Sequence, residues 1–261
     1  MSLFLYLERD SPLHRLHPIV KVAGMLCLFI AAFVSDRPTA VLPVTVGVAG
    51  LIALVRAWTN VRRLRVLFVM VFIMTLLIWS LFYRGGVPIA AWGPISISAA
   101  GMRFALAMAL KLVTFLGIGV VFLSTTKIEE FAYALTRVGM PYKIGFAMTM
   151  AFRLVPVFID AAITVVQAQR CRGFDFDRGS PLERARRYVP VIVPVFMTAL
   201  RRADGMAMAL EARGFQSGRV RSTYDRYRVR PADVVALGLA LLLLAGTILL
   251  WRAGYTAVGG A

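Results

Sequence analysis

Two arginines, Arg172 and Arg213, are the residues of this sequence whose type and spacing best support a chemical role. Each follows a small residue and precedes a glycine and a phenylalanine, in the segments Cys171-Arg-Gly-Phe174 and Ala212-Arg-Gly-Phe215. A guanidinium group is always charged and can hold a carboxylate or carbonyl oxygens in a fork of parallel hydrogen bonds. The repeat therefore predicts recognition of one partner through two matched, charge-assisted contacts.

The element that must position each arginine is the end of a helix. A cation in the last turn interacts favourably with the negative end of the helix dipole, and the glycine behind it, Gly173 or Gly214, can take the left-handed conformation that closes a helix. The glycine also lets the backbone of a partner come close. The alternative is that Arg172 and Arg213 only cap their helices, which stabilises each by about 0.3 to 1 kcal/mol.

Composition identifies the chain as an integral membrane protein. Its 261 residues are 59% hydrophobic and 16% charged, with a mean hydropathy of +0.76. These values are too apolar for a soluble domain, and the chain is long enough for several spans. Charge-free apolar runs predict five membrane helices, at residues 22–35, 38–55, 66–83, 112–126 and 234–251.

Two lysines lie at or near these spans. The first run is short, and it reaches spanning length by including Ile19 and Val20 if Lys21 snorkels towards the interface. The fourth run extends back to Met102 only by including Arg103 near its outer end and Lys111 near its middle. A central lysine costs about 2.5 to 3.5 kcal/mol in a lipid-exposed span, so Lys111 is expected to face protein.

The distribution of basic residues predicts the orientation. With the N-terminus in the cytoplasm, most of the 30 Lys and Arg fall on the cytoplasmic side, many of them between residues 127 and 230. Topology then explains the net charge of +17, and nucleic-acid binding is not indicated.

The basic segment, residues 125–229, carries helix signals throughout. Thr126–Glu129 and Ser180–Glu183 both fit the capping box, and the long helices are expected to end at the two Arg-Gly pairs. Pro190 and Pro194 should kink or split the second stretch. The sequence thus predicts an N-terminal membrane region of four spans (1–124), a cytoplasmic helical region (125–229), and a final span with a short tail (230–261).

The apolar runs within residues 125–229 are too short to cross a bilayer and too apolar for water, so we expect them beneath the spans or at the membrane interface. The alternative is that residues 144–169 and 188–200 are two further spans. Arg153 and Asp160 in the first run and the prolines of the second oppose this alternative.

Signatures of catalysis are missing from the sequence. It has no GxxxxGK[ST] phosphate loop, no His-Glu-x-x-His, and only two cysteines, Cys27 and Cys171, which do not form a metal-ligand pattern. His14 and His17 could share a helix face but have no third ligand nearby. We therefore predict no enzymatic activity, no cofactor and no metal site.

Several motifs, taken together, form a recognisable pattern. They are Ser124-Thr-Thr126, Ala134-Leu135, Gly139-Met-Pro141, Arg153 with Pro156, and the two Arg-Gly endings. The pattern resembles the transmembrane T component (EcfT/CbiQ-like) of energy-coupling factor importers, a group of ABC transporters for vitamins and transition-metal ions. The first Arg-Gly motif departs from the family's Ala-Arg-Gly by having Cys171 in place of alanine.

The resemblance implies an all-α membrane protein with about five transmembrane helices and, before the last of them, a cytoplasmic helical coupling region, residues 125–229. It implies a non-catalytic subunit in the cell membrane of a prokaryote that links two ABC ATPase subunits, identical or different, to one substrate-binding membrane S component. Phe174 and Phe215 would add apolar area beside each anchor. The residues expected to dock into the ATPases are Cys171, Arg172, Gly173, Ala212, Arg213 and Gly214.

Two other functional classes make different predictions. A membrane permease that itself forms the substrate pathway would need ionisable residues at mid-membrane depth, and only Lys111 qualifies. An intramembrane enzyme would need at least two reactive groups at matched depth, and the sequence offers none.

Overall fold

The computed structural model describes residues 11–35, 37–83, 88–92, 95–176, 180–215 and 229–253. Its elements in chain order are α1 (Pro18–Val34), α2 (Pro38–Val55), α3 (Trp58–Arg63), α4 (Arg65–Phe82), β1 (Pro88–Trp92), β2 (Ile95–Ser98), α5 (Ala99–Thr125), α6 (Ile128–Val138), α7 (Tyr142–Cys171), α8 (Pro181–Arg187), α9 (Val189–Ala212) and α10 (Pro231–Arg252).

The chain divides into two compact units. The first contains Met1–Gly139 together with Tyr227–Ala261, and the second is Met140–Arg226. The first unit therefore includes α6, which the sequence division had grouped with the coupling region. The second unit contains α7, α8 and α9.

Helix α5 is at the centre of the first unit, where it packs against α1, α2, α3 and α4. The approach to α2 is close, because a Cβ added at Gly117 would lie 2.9 Å from Cγ1 of Val48. Hydroxyl oxygens of Thr45 and Thr114 are 2.7 Å apart across the same pair of helices. Small residues and interhelical hydrogen bonds are the usual means of joining helices in lipid. The buried core beside this crossing consists of Val48, Ile52, Val55, Ala57, Ile118 and Val121.

The prediction for Lys111 is confirmed and the one for Lys21 is not. Lys111 faces protein as predicted, because its Nζ donates to the carbonyl oxygen of Phe33 at 2.7 Å and the residue is 7% exposed. The expectation that Lys21 snorkels is wrong. Its side chain is only 4% exposed and pairs with Glu130 inside the protein, where the charge is satisfied without reaching water.

The described helices bear out the predicted all-α membrane class. Five of them, α2, α4, α5, α7 and α10, are long and apolar enough to cross a membrane. α1, with 17 residues, falls just below that length, so the count of five differs from the predicted set by including α7 in place of α1. The sequence did not predict the antiparallel hairpin of β1 and β2, which pairs Trp92 with Ile95 between α4 and α5.

The capping box expected at Thr126 is wrong. Thr126 ends the preceding helix, because its backbone N–H donates to the carbonyl oxygen of Phe122 at 2.9 Å, so α6 begins two residues later with Lys127 as its uncapped N-cap. The shift leaves Glu129 at the second helical position, whereas the box requires it at the third.

The second capping box is confirmed. Ser180 Oγ accepts from the backbone of Glu183, and the Glu183 carboxylate accepts from the backbone of Ser180. The predicted break in the following stretch is also present, at Tyr188 between α8 and α9, so that Pro190 lies in the first turn of the new helix, where it is tolerated. Pro194 remains inside α9.

Candidate functional site

The first Arg-Gly motif closes α7 with a complete Schellman cap. Gly173 has a positive φ of 80°, and its N–H donates to the carbonyl oxygen of Arg170 at 2.9 Å. The N–H of Phe174 donates to the carbonyl oxygen of Gln169 at 3.0 Å. These two bonds satisfy carbonyl groups that a helix end otherwise leaves unpaired, so Arg172 occupies a well-defined C-cap position.

The second motif closes α9 in the same way. Gly214 has a φ of 70° and donates to the carbonyl oxygen of Glu211 at 2.8 Å. Phe215 donates to the carbonyl oxygen of Leu210 at 3.0 Å, and Arg213 is the C-cap. The prediction that both motifs end helices is therefore confirmed, with each arginine one position beyond the last helical residue.

Both arginine side chains are exposed. Within the part of the chain that the structure describes, neither guanidinium has a hydrogen-bond or ion-pair partner. Cys171, beside the first arginine, is an exposed free thiol. The two helix caps thus fix the backbone positions of the arginines, and their guanidinium groups are exposed.

Aromatic contacts fix the relation of the two helix ends. Phe215, after the end of α9, packs on Phe146 near the start of α7, with ring centroids 4.6 Å apart. At the other end, Phe176 follows α7 and lies 5.0 Å from the ring of Tyr188, just before α9. α7 and α9 therefore run in opposite directions, and the two motifs lie at opposite ends of the pair. A helix of the 24 residues of α9 is about 36 Å long, which sets the scale of their separation.

The flanking phenylalanines are half-buried within the second unit. Phe174 packs on Phe176, which is itself 1% exposed, with centroids 4.9 Å apart. Arg187 at the end of α8 donates from Nη1 to the carbonyl oxygen of Asp175 at 2.7 Å, which ties the loop after the first motif to α8. The part of Phe174 and Phe215 that remains accessible can still contribute to an interface.

Three positioning residues were missed from the sequence: Phe146, Phe176 and Arg187. Phe176 is close to its motif in sequence, but its contact with Tyr188 joins it to a residue beyond α8, which the motif does not indicate. The contacts of Phe146 and Arg187 join segments distant in sequence, so no local pattern could reveal them.

A second apolar feature of this unit lies on α9. Six large apolar side chains in its first half are exposed, in a region that also contains Pro194. Exposed apolar area of this extent marks contact with lipid or another protein. The residues are Val189, Ile192, Val193, Phe196, Met197 and Leu200.

The two histidines are occupied by hydrogen bonds. Nε2 of His14 donates to the carbonyl oxygen of Ser124 at 3.1 Å, and its Nδ1 is 2.7 Å from Ser11 Oγ. Nδ1 of His17 accepts from the backbone of Ile19 as the N-cap of α1. Among the described residues, no group of three or more His, Cys, Asp or Glu side chains is arranged to hold a metal ion.

Comparison with known proteins gives a consistent result. Residues 9–224 match the CbiQ family, described as cobalt transport protein. The chain is 31% identical over 257 residues to the energy-coupling factor transporter transmembrane protein EcfT of Thermosediminibacter oceani, covering 94% of this chain and 95% of that protein. It is 33% identical over 264 residues to the protein of that name from Thermanaerovibrio acidaminovorans, covering 95% of each.

A further relative has a different name. It is a putative ABC transporter ATP-binding protein of Bifidobacterium longum, 30% identical over 253 residues, where the match covers 92% of this chain but 32% of that protein. The resemblance found in the motifs is confirmed by the family match and by the relatives aligned over nearly their whole length. The chain belongs to the CbiQ/EcfT family of transmembrane components of energy-coupling factor transporters.

Proposed function

We propose that this chain is the non-catalytic coupling subunit of an importer for vitamins or transition-metal ions in the plasma membrane of a prokaryote, with its N-terminus in the cytoplasm. It links two ABC ATPase subunits, identical or different, to one membrane S component that binds the substrate. ATP hydrolysis takes place on the ATPases. Support comes from the family, and from the relative named as an ATP-binding protein, about a third of which resembles this chain.

The observation that carries the proposal is the pair of matched helix ends. Arg172 and Arg213 have the same cap geometry, are followed by the same glycine and phenylalanine, and are both exposed. Capping alone does not require a second copy with a small residue before it and the same phenylalanine after it. A pair of ATPases offers two docking sites, which two similar contacts would occupy, each with a carboxylate or carbonyl group that receives the guanidinium.

The antiparallel pair supplies a mechanism. When ATP closes the two ATPases, their two docking grooves approach each other, and the helices that end in those grooves must tilt or slide. α7 and α9 then carry the movement along their length of several turns. The exposed apolar stretch of α9 is the surface through which an S component would receive it.

The permease alternative receives no support from Lys111. That side chain is buried, bonded to the carbonyl oxygen of Phe33, and placed 5.4 Å from the Phe33 ring centroid. These contacts compensate for the burial of the ammonium group. They occupy it within the protein, so it does not offer a charge to a substrate passing between helices.

The test is co-expression of the chain with its ATPase and S-component partners, followed by affinity purification in detergent and ATP-dependent uptake in proteoliposomes. Arg172→Glu and Arg213→Glu are each expected to remove at least about 2 kcal/mol of docking energy, a loss of roughly thirtyfold in ATPase affinity, because each places a negative charge against the carboxylate or carbonyl oxygen that receives the guanidinium. The matched control is Arg202→Glu, the same change at an exposed position inside α9.

Loss of ATPase binding and uptake in both motif variants, with the control unaffected, is the expected result. Wild-type levels of ATP-dependent uptake in Arg172→Glu and Arg213→Glu would contradict the docking role of the arginines. Purification of the wild-type chain without any ATPase, alongside ATP-independent uptake, would favour the permease.

A further inference from the structure

Lys21, in the first turns of α1, is a buried cation with all its donors used. Its Nζ donates to the carbonyl oxygens of His14 and Thr125, each at 2.9 Å, and to Oε2 of Glu130 at 2.7 Å. Three hydrogen bonds are all that an ammonium group can donate. A buried charge is tolerated only with such complete pairing. The Nζ atom of Lys21 therefore joins three parts of the chain: the segment before α1, the end of α5 and the start of α6.

The same part of α1 also holds α10. The backbone N–H of His17 donates to Oδ1 of Asp233 at 2.7 Å, and the other carboxylate oxygen accepts from the backbone of Arg230 at 2.6 Å. Asp233 is 1% exposed. We call this group of contacts the Lys21 cluster. It comprises His14, His17, Lys21, Thr125, Glu130 and Asp233.

The position of the cluster along the chain is informative. The second unit begins at Met140, directly after α6, and ends at Arg226, shortly before α10. Glu130 lies in the first turn of α6 and Asp233 in the first turn of α10. The chain therefore connects the second unit to the first through α6 on one side and α10 on the other. The Lys21 cluster contacts both of these helices.

Further contacts keep α6 rigid beyond the ion pair. Ala132 and Ala134 are buried, Phe131 meets Phe122 of α5 edge to face at 5.7 Å, and Tyr133 lies 6.2 Å from the ring of His17. The helix then stops at Gly139, whose φ of 127° breaks the helical path before Met140-Pro141. Helix α6 is thus packed within the first unit and ends directly before the second unit begins.

We propose that Lys21 and Glu130 are positioning residues for coupling, which hold the start of α6 so that movement of α7 and α9 is transmitted to the membrane helices and is not lost by displacement of α6. This inference rests on the proposed function. It adds that the force enters the membrane unit at the Lys21 cluster. Neither residue touches substrate or nucleotide; both act through the helices that they hold.

The test uses the whole complex in proteoliposomes, with ATP hydrolysis and uptake measured on the same sample. Glu130→Ala is compared with Glu129→Ala, a matched control on the same turn whose side chain is exposed. Glu130→Ala is expected to lower the uptake per ATP hydrolysed by about tenfold or more, the effect of losing a charge-assisted buried contact. ATPase and S-component binding should persist, and amide exchange in residues 128–138 should become faster. Glu129→Ala should behave as wild type.

A second variant separates coupling from folding. Lys21→Met combined with Glu130→Met removes both charges, so that no unpaired charge stays buried, and this variant is expected to assemble even if Glu130→Ala does not. Because it also lacks the hydrogen bonds through which Lys21 holds α6, it is expected to remain uncoupled. Wild-type uptake per ATP in either assembled variant would overturn the proposal. Failure of both variants to assemble would also overturn it, because the Lys21 cluster would then serve folding alone. If the proposed function itself is wrong, the wild-type chain fails to bind ATPases, a result that is distinct from these.

Discussion

Arg172 and Arg213 owe their position to backbone bonds and not to side-chain contacts. In each motif the glycine and phenylalanine N–H groups close the helix, so the arginine side chain takes no part in the cap and stays exposed. The contribution of about 0.3 to 1 kcal/mol that a cation makes at a helix C-terminus is retained whether or not a partner is bound. In the proposed complex a partner would add a fork of charge-assisted hydrogen bonds, each worth more than the cation contributes to its helix.

Gly173 provides a prediction in which only the backbone matters. A Cβ added at Gly173 or at Gly205 in α9 would meet no atom within 4 Å, so Gly173→Ala and Gly205→Ala differ in conformation alone. At Gly173 the φ of 80° makes alanine unfavourable by about 1 to 2 kcal/mol, whereas alanine inside α9 is favourable by about 0.5 to 1 kcal/mol. Thermal unfolding in detergent should therefore shift down for the first variant and up for the second. Equal shifts would show that the helix end does not need its left-handed residue.

Helices α2 and α5 are in close contact where they cross. This contact depends on Gly117, on the pair of hydroxyl groups from Thr45 and Thr114, and on the shape of Val48. Val48 is β-branched and has little freedom to move its Cγ1 away from an approaching atom. Packing of this kind, and not the hydrophobic effect, decides which membrane helices associate.

Gly117 and Gly119 make a matched pair two residues apart on α5. An added Cβ at Gly117 would lie 2.9 Å from Val48 Cγ1, while one at Gly119 would meet nothing within 4 Å. Gly117→Ala is expected to destabilise the folded protein by about 1 to 3 kcal/mol through overpacking, and Gly119→Ala to be neutral or stabilising. Thermal unfolding in detergent measures both. Adding Val48→Ala to Gly117→Ala should recover stability, and a lack of recovery would place the clash elsewhere.

Local patterns predicted the helical elements better than the contacts between them. The two helix ends, the capping box at Ser180 and the inward-facing Lys111 depend on neighbours in sequence or on burial cost, and all are confirmed. The capping box predicted at Thr126 is wrong because α5 and α6 follow each other so closely that Thr126 could end the first helix or begin the second. Lys21 was expected to snorkel because the sequence near it offers no partner for its charge. Its partner Glu130 lies far along the chain, and a single sequence shows no signal that joins the two residues.

At the scale of the whole chain, the assignment of α7 depends on charge. By length and apolar content α7 could cross a membrane, yet it carries Arg153 and Asp160, both exposed. Each would cost about 2.5 to 3.5 kcal/mol near the centre of a lipid-facing span. A helix at the interface with these charges towards water or a partner avoids that cost. The coupling region of residues 125–229 proposed from the sequence is consistent with this placement.

Cys171 allows that placement to be measured, because the chain has only one other cysteine, Cys27. In a Cys27→Ala background, a membrane-impermeant maleimide is expected to label Cys171 in inside-out vesicles and not in right-side-out vesicles. Bound ATPases should protect it, since it precedes Arg172. The control is Arg202→Cys with Cys171→Ala, which should be labelled equally with and without ATPases. Labelling of Cys171 from the outside would mean that α7 crosses the membrane, and the two arginine-bearing helix ends could not then share a partner in the cytoplasm.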